Sequence, residues 1–271
     1  MRKLCRLFLV ALVATAAPAS CTKQDDVVTK AFTACIEHAQ THTKTTLDGP
    51  VVKWNNGDQV NINGAVYSAE PSFENPDYAK LTYVGSSVPA APYIAVYPAS
   101  LYDRETGNYL LPKEQKYEPG RFNAPMVAVS SDENLTFSNV CGVLCLALTG
   151  EGKVKEIEIN SEKLPLSGQF KVNNGSAEML AQEGYNYITL DCGGGVDLHS
   201  ETPTTFYVYI PAGTYSAKDL TVVVRNPDHW QYEKPTVKEA VVQSNHIYTF
   251  DWEVTFSEPG EDDHDGQKPI H

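Results

Sequence analysis

The amino-acid sequence predicts an all-β protein on three observations. Apolar and polar residues alternate with period two along most of the chain, turn residues punctuate it at short intervals, and helical windows rich in Ala, Leu, Glu and Lys are scarce while Tyr and Val are plentiful. Period-two alternation sends one set of side chains inward and the other outward. Many short strands joined by turns build β-sandwiches. Past a leader, about 250 residues suit one large domain or two of ordinary size, at ~100–200 residues each.

The chain opens with Arg2, Lys3 and Arg6, then an apolar run over residues 7–17, then Pro18-Ala19-Ser20-Cys21. The run is shorter than the ~20 residues of a spanning helix. A charged start, an apolar middle and small residues before a cysteine predict a lipoprotein signal over residues 1–20, with Cys21 lipidated. Each buried CH₂ of the lipid contributes about 0.8 kcal/mol to membrane attachment. The chain is therefore expected to be tethered to a membrane surface without spanning it. Formal net charge is −13, with 34 Asp+Glu against 21 Lys+Arg. Three of those basic residues lie in the leader, so the body is more acidic still. That charge disfavours nucleic acid and anionic headgroups as partners.

In the body, Val28, Phe32, Ala34 and Ile36 alternate with Thr29, Thr33 and Cys35, which predicts a first strand. Val60-Asn61-Ile62-Asn63, Phe206-Tyr207-Val208-Tyr209-Ile210 and residues 220–224 alternate in the same way. Turns are expected at Asn56-Gly57-Asp58, Pro119-Gly120, Asn173-Asn174-Gly175, Gly193-Gly194-Gly195 and Asn226-Pro227-Asp228. A short helix is expected near residues 177–182. Residues 139–148 are apolar on both faces, as in a central strand covered on both sides. A turn-rich stretch follows, so the boundary falls near residues 135–150. The expected units are 21–138 and 139–256, each a β-sandwich, with an acidic tail at 257–271. Tyr93-Ile94-Ala95-Val96-Tyr97-Pro98-Ala99 echoes Tyr207-Val208-Tyr209-Ile210-Pro211-Ala212, two aromatic strands each ended by proline. In the last strong strand Tyr248, Phe250, Trp252, Val254 and Phe256 face one way and Thr249, Asp251, Glu253 and Thr255 the other. Burying all five would contribute on the order of 10 kcal/mol before entropy.

An ordered set of segments resembles the fimbrillin-like lipoproteins of Bacteroidetes. These are Phe32-Thr33-Ala34, Thr43-Lys44-Thr45-Thr46-Leu47, Trp54-x-x-Gly57-Asp58-x-Val60, Ala95-Val96-Tyr97-Pro98-Ala99, Asn139-Val140-Cys141-Gly142-Val143-Leu144, Val154-x-x-Ile157-x-Ile159 and Asn245-His246-Ile247-Tyr248-Thr249-Phe250. The acidic residues behind Cys21 resemble that phylum's surface-export signal. The resemblance implies two transthyretin-like β-sandwiches and a role as fimbrial subunit or accessory protein in cell adhesion, with other fimbrial subunits as partners. It implies that proteolysis after a basic residue removes the first strand and that a neighbouring subunit donates a replacement, held by main-chain hydrogen bonds. The removable strand is then Val28, Phe32, Ala34 and Ile36, the processing candidates Lys44 and Lys53, and the donor strand Tyr248, Phe250, Trp252, Val254 and Phe256. Family cleavage is commonly at arginine, whereas this chain has none between Arg6 and Arg104; Lys30, Lys44 and Lys53 stand there instead. A loosely tethered first strand favours assembly by exchange. One clamped on both edges favours a static, membrane-held protein.

Other motifs carry less. Cys35-x-x-His38-x-x-x-His42 lacks a fourth zinc ligand. Glu261-x-Asp263-x-Asp265-Gly266 lacks the closing Glu of a calcium loop. Gly193-Gly194-Gly195 precedes no lysine-serine pair and is not a phosphate cradle. No nucleophile stands in a recognisable catalytic setting, so no enzyme activity, cofactor or metal is expected. Cys35, Cys141, Cys145 and Cys192 read as buried thiols, with a Cys35–Cys192 or Cys141–Cys192 bridge left open by spacing. Cys141 and Cys145, ~13 Å apart along one strand, cannot bond each other. The alternative function is a monomeric surface lipoprotein that binds glycan or host protein through Tyr207, Tyr209, Trp230 and Tyr232.

Overall fold

The computed structural model describes residues 28–41, 52–85, 88–120, 123–180 and 184–257. Cys21, His42, Lys44 and residues 258–271 lie outside them. The strands in chain order are β1 (Val28–Ile36), β2 (Gln40–Thr41), β3 (Gln59–Ile62), β4 (Ala65–Pro71), β5 (Tyr78–Gly85), β6 (Tyr93–Tyr97), β7 (Tyr109–Leu111), β8 (Glu114–Lys116), β9 (Met126–Ser130), β10 (Asn134–Asn139), β11 (Cys141–Gly150), β12 (Lys153–Ser161), β13 (Gly168–Asn173), β14 (Ser176–Met179), β15 (Tyr187–Asp197), β16 (Thr204–Pro211), β17 (Gly213–Tyr215), β18 (Leu220–Arg225), β19 (Gln231–Pro235), β20 (Ala240–Val242) and β21 (His246–Val254). A single 3₁₀ turn, Ala99–Leu101, is the one helical element among the described residues. The protein is all-β.

The first half differs from an open two-sheet sandwich. Seven strands close into a barrel in the order β1-β10-β9-β6-β3-β4-β5. Closure comes from β1, which is antiparallel to β5 and parallel to β10. Phe32, Ala34, Ile36, Val60, Ile62, Tyr67, Leu81, Met126, Leu135 and Phe137 fill the interior. Closing the ring removes the exposed edges an open sheet would carry.

The second half stacks two sheets. One runs β16-β11-β21-β2 and the other β19-β18-β12-β15-β8. Leu144, Leu146, Leu148, Phe206 and Val208 of the first pack against Ile157, Ile159, Ile188, Leu190, Val222 and Val224 of the second. β11 is central as expected, and all its residues but Thr149 are buried. The halves interlock. β8, from the first half of the chain, pairs with β15, and β7 pairs with β13. The Gln115 side chain bonds the Tyr209 main chain twice, Nε2 donating to its carbonyl at 2.7 Å and Oε1 accepting its N–H at 3.1 Å.

Several expectations are corrected. Of the helix expected near residues 177–182, residues 177–179 instead belong to the strand Ser176–Met179, paired with β13 around Asn174 and Gly175, whose φ values of 48° and 79° suit a tight hairpin; residues 181 and 182 lie outside the described residues. Gly193-Gly194-Gly195 is a bulge inside β15, not a turn. The register of its partner slips between Val154 and Glu156, and Gly193 and Gly195 take φ of 61° and 99°. The cysteines agree with the thiol reading: Cys35, Cys141, Cys145 and Cys192 are all free, the last three buried and Cys35 partly so, and neither bridge left open by spacing forms. Burial pushes the Cys141 thiol up and raises Cys192 to about 12, which keeps both protonated. The last strand alternates as expected, but its apolar face is only partly covered. Val254 is buried, Tyr248, Trp252 and Phe256 are half-buried, and Phe250 is 39% exposed.

Candidate functional site: the first strand and its slot

β1 lies between strands far from it in sequence. Val28 to Cys35 pair with Gly85 to Tyr78 of β5, and Thr33 to Ile36 pair with Asn134 to Phe137 of β10. The first strand is thus clamped on both edges. Thr33 N–H donates to the Glu133 carbonyl at 2.8 Å, and Glu37 N–H to the Phe137 carbonyl at 2.7 Å. Phe32, Ala34 and Ile36 point into the barrel, while Ala31 and Thr33 point to solvent.

Phe32 is gripped by two tyrosines. The Tyr67 and Tyr93 rings meet it nearly perpendicular, with centroids at 5.2 and 4.9 Å. Such edge-to-face contacts add ~0.5–1.5 kcal/mol beyond burial. The Tyr67 ring is fully buried, and its hydroxyl has no hydrogen-bond partner among the described residues. Desolvation of that hydroxyl is the main reason its pKa lies above the ordinary value.

Lys30 fastens the start of the strand. Its Nζ donates to the Tyr93 hydroxyl, lies 4.6 Å from the Tyr93 ring centroid, and pairs with Glu133 Oε1 at 2.9 Å. The Tyr93 bond, then the Glu133 bond, raise the lysine pKa, and Lys30 in turn lowers that of Glu133. Lys30 therefore ties β1 to β6 and to the turn before β10. Sequence reasoning counted Lys30 only among the available lysines. Its partners lie 63 and 103 positions away, so no local pattern marked them.

The other sequence-predicted residues are dispersed. Lys53 is exposed, next to buried Trp54. His38 bonds Asp77 Oδ2 at 2.9 Å, and the Cys35 thiol lies against the Ile36 carbonyl. Among the described residues no cluster of His, Cys, Asp and Glu is arranged to hold a metal. Tyr248, Phe250, Trp252 and Val254 sit in β21, bonded in parallel to β11 from Ile247 to Val254. Tyr207 and Tyr209 pack into the buried cluster between the halves, whereas Tyr232 packs on the core of the two-sheet half and Trp230 is 42% exposed.

No family model and no curated protein matches the chain. Solved structures do match. One is a Bacteroides ovatus protein described in terms of cell adhesion, 12% identical, covering 85% of this chain and 97% of its own, with a TM-score of 0.48. A second, from Bacteroides uniformis and described likewise, is 12% identical and covers 74% and 88%, with a TM-score of 0.47. A third is the tip fimbrial protein Mfa3 from Porphyromonas gingivalis, 12% identical, covering 84% and 99%, with a TM-score of 0.38. By their descriptions these neighbours are cell adhesion and fimbrial proteins.

Proposed function

We propose that the chain is a lipid-anchored cell-surface subunit of a fimbrium, structural or accessory, that supports adhesion and accepts a partner's strand at the position of β1. Because β1 is clamped on both edges, the uncut chain is read as the static, membrane-held form; the observation that supports acceptance of a strand after cutting is the placement of β1 between β5 and β10. Its removal leaves a slot with unpaired main chain on two sides and the vacated sites of Phe32, Ala34 and Ile36 at its floor. An incoming extended segment would restore hydrogen bonds on both edges and refill alternate pockets. Phe32 and Ile36 each stabilise the seated strand by ~1.5–3 kcal/mol. A strand so held does not leave by itself, so the uncut chain stays closed on the membrane as an anchor. Cleavage after Lys44 or Lys53 would detach the body from the Cys21 lipid and weaken the hold on β1 together. The division into units 21–138 and 139–256 belongs to this proposal, with β7 and β8 of the first paired to strands of the second.

The donor candidate, residues 248–256, is bonded along β11, so donating it requires opening that pairing. This makes acceptance of a strand the better supported half of the exchange. The alternative of a glycan- or host-protein-binding monomer has exposed Trp230 as its main support.

Limited trypsin treatment of the purified chain tests the reading. Loss of residues 22–44 together with a ladder of heat-labile oligomers is expected. Retention of that segment with no ladder would overturn assembly by exchange.

A further inference from the structure

Asn-Gly occurs three times in the chain, at Asn56-Gly57, Asn63-Gly64 and Asn174-Gly175. The pair is chemically labile because the glycine nitrogen, with no side chain beside it, can reach the preceding carboxamide carbon. Each pair stands in a turn, and all three asparagines are exposed. Their surroundings differ. At Asn63 both reacting groups are held. Its Nδ2 donates to the Ala90 carbonyl at 2.9 Å and the Pro92 carbonyl at 3.0 Å, and its Oδ1 accepts the Ile94 N–H at 2.7 Å. The Gly64 N–H donates to Asn61 Oδ1 at 3.1 Å. At Asn56 the nitrogen is held, because the Gly57 N–H donates to the Ala69 carbonyl at 2.9 Å. A bonded N–H must give up its acceptor before it can attack, which slows the reaction. At the tip of the β13–β14 hairpin neither group is held. Among the described residues the Asn174 carboxamide and the Gly175 N–H meet no hydrogen-bond partner, and nothing stands within 4 Å of a Cβ built on Gly175.

We infer that Asn174 is a modification site, where the folded chain deamidates spontaneously while its other two Asn-Gly pairs are protected. The Gly175 nitrogen gives its proton to water and bonds to Asn174 Cγ. The Cγ–Nδ2 bond breaks, and Nδ2 leaves as ammonia with a proton from water, closing a cyclic imide. Water then adds to either ring carbonyl and breaks that carbon's bond to the nitrogen, which recovers a proton. One opening gives aspartate. The other gives isoaspartate, in which the main chain runs through Cβ and Cγ. Water enters and ammonia leaves, with no oxidant, reductant or enzyme. The isoaspartyl form puts an extra main-chain carbon into a two-residue turn built on φ values of 48° and 79°. The pairing behind the turn then weakens, Asn173 with Ser176 first and Phe170 with Met179 last. Val172, Ala177 and Met179 pack on the buried cluster that holds Phe170 and Cys145, so the modification loosens their cover. The site is independent of β1 removal.

The test incubates the full, uncut chain in heavy-oxygen water at mildly alkaline pH, folded and, separately, in concentrated urea. Peptide mapping follows all three sites. In the folded chain Asn174 should take up heavy oxygen and lose its amide about tenfold faster than Asn56 or Asn63, or ~1.4 kcal/mol in barrier. In urea the three rates should converge, because only the fold separates them. The folded rate at Asn174 should climb with pH, since the attacking nitrogen must lose its proton. Hydrogen exchange of the isoaspartyl fraction should quicken over residues 170–179 and stay unchanged in β12. Asn174→Asp, which carries the new charge on an ordinary main chain, should keep the parent's exchange there, so that linkage and charge are told apart. Equal folded rates at the three sites, or an Asn174 that reacts only in urea, overturn the assignment. Unchanged exchange in the isoaspartyl fraction overturns the loosening of the hairpin. Neither result touches acceptance at β1, which rests on other residues.

Discussion

Replacing Phe32 with alanine probes the hold of the barrel on its first strand. The side chain is 1% exposed and meets Tyr67 and Tyr93 edge-on. Truncating a phenylalanine in such a site costs about 3–5 kcal/mol, transfer and cavity effects together. With a urea slope of about 2 kcal/mol per molar, a 4 kcal/mol loss moves the midpoint down by about 2 M. Hydrogen exchange read by mass spectrometry localises the loss, with amides of β1, β5 and β10 exchanging faster and those of β11 and β12 unchanged. Trypsin should release the N-terminal segment faster from the variant. Thr33→Ala, one residue along and facing solvent, should stay within about 0.5 kcal/mol of the parent. A Phe32→Ala loss below about 1 kcal/mol, or one matched by Thr33→Ala, would refute the claim that inward pockets hold β1.

The Lys30–Glu133 pair should make β1 retention depend on pH. Lys30 is raised, so its contribution is complete below the ordinary lysine value of 10.5 and is lost as pH climbs through the raised value. Glu133 is lowered, so its contribution is present above the ordinary 4.5 and disappears as pH falls through the lowered value. Protection factors of β1 amides, exchange rates corrected for their intrinsic pH dependence, should be flat between those limits and fall outside them. Gly150→Ala should destabilise the end of β21 by more than 2 kcal/mol, on the order of an overpacked site. Gly150 has φ of 139°, and an added Cβ would lie 2.4 Å from the Val254 carbonyl oxygen; exchange of β21 amides checks it. Arg225, bonded to Glu156 at 2.8 Å and to Glu158 at 3.3 Å, should lose only about 1 kcal/mol on Arg225→Met, with the difference shrinking in high salt.

What the sequence made legible was orientation along single strands. The alternation of Phe32, Ala34 and Ile36 and the two-faced apolarity of β11 were readable because a strand's period is local. Barrel closure was not, because β1 pairs with β10 about a hundred residues away and in parallel, which no local pattern encodes. The glycine run at 193–195 reads as a turn because positive φ serves turns and bulges alike; only the partner strand reveals which. The four-residue β14 is too short for either period to decide it. At β21 the alternation fixed which side chains share a face but not whether a neighbour covers them. Phe250 is therefore apolar, inward in pattern and yet exposed.

The central claim is that the place of β1 is a slot that a separate strand can fill. Native mass spectrometry of the trypsin-cut body, mixed with an isotope-labelled synthetic peptide of residues 28–41, tests it most directly. The account predicts one labelled peptide per body, displacing the native segment, and no uptake of the same peptide carrying Phe32→Ala. A cut body that unfolds without binding the peptide, or that takes up both peptides equally, would contradict it.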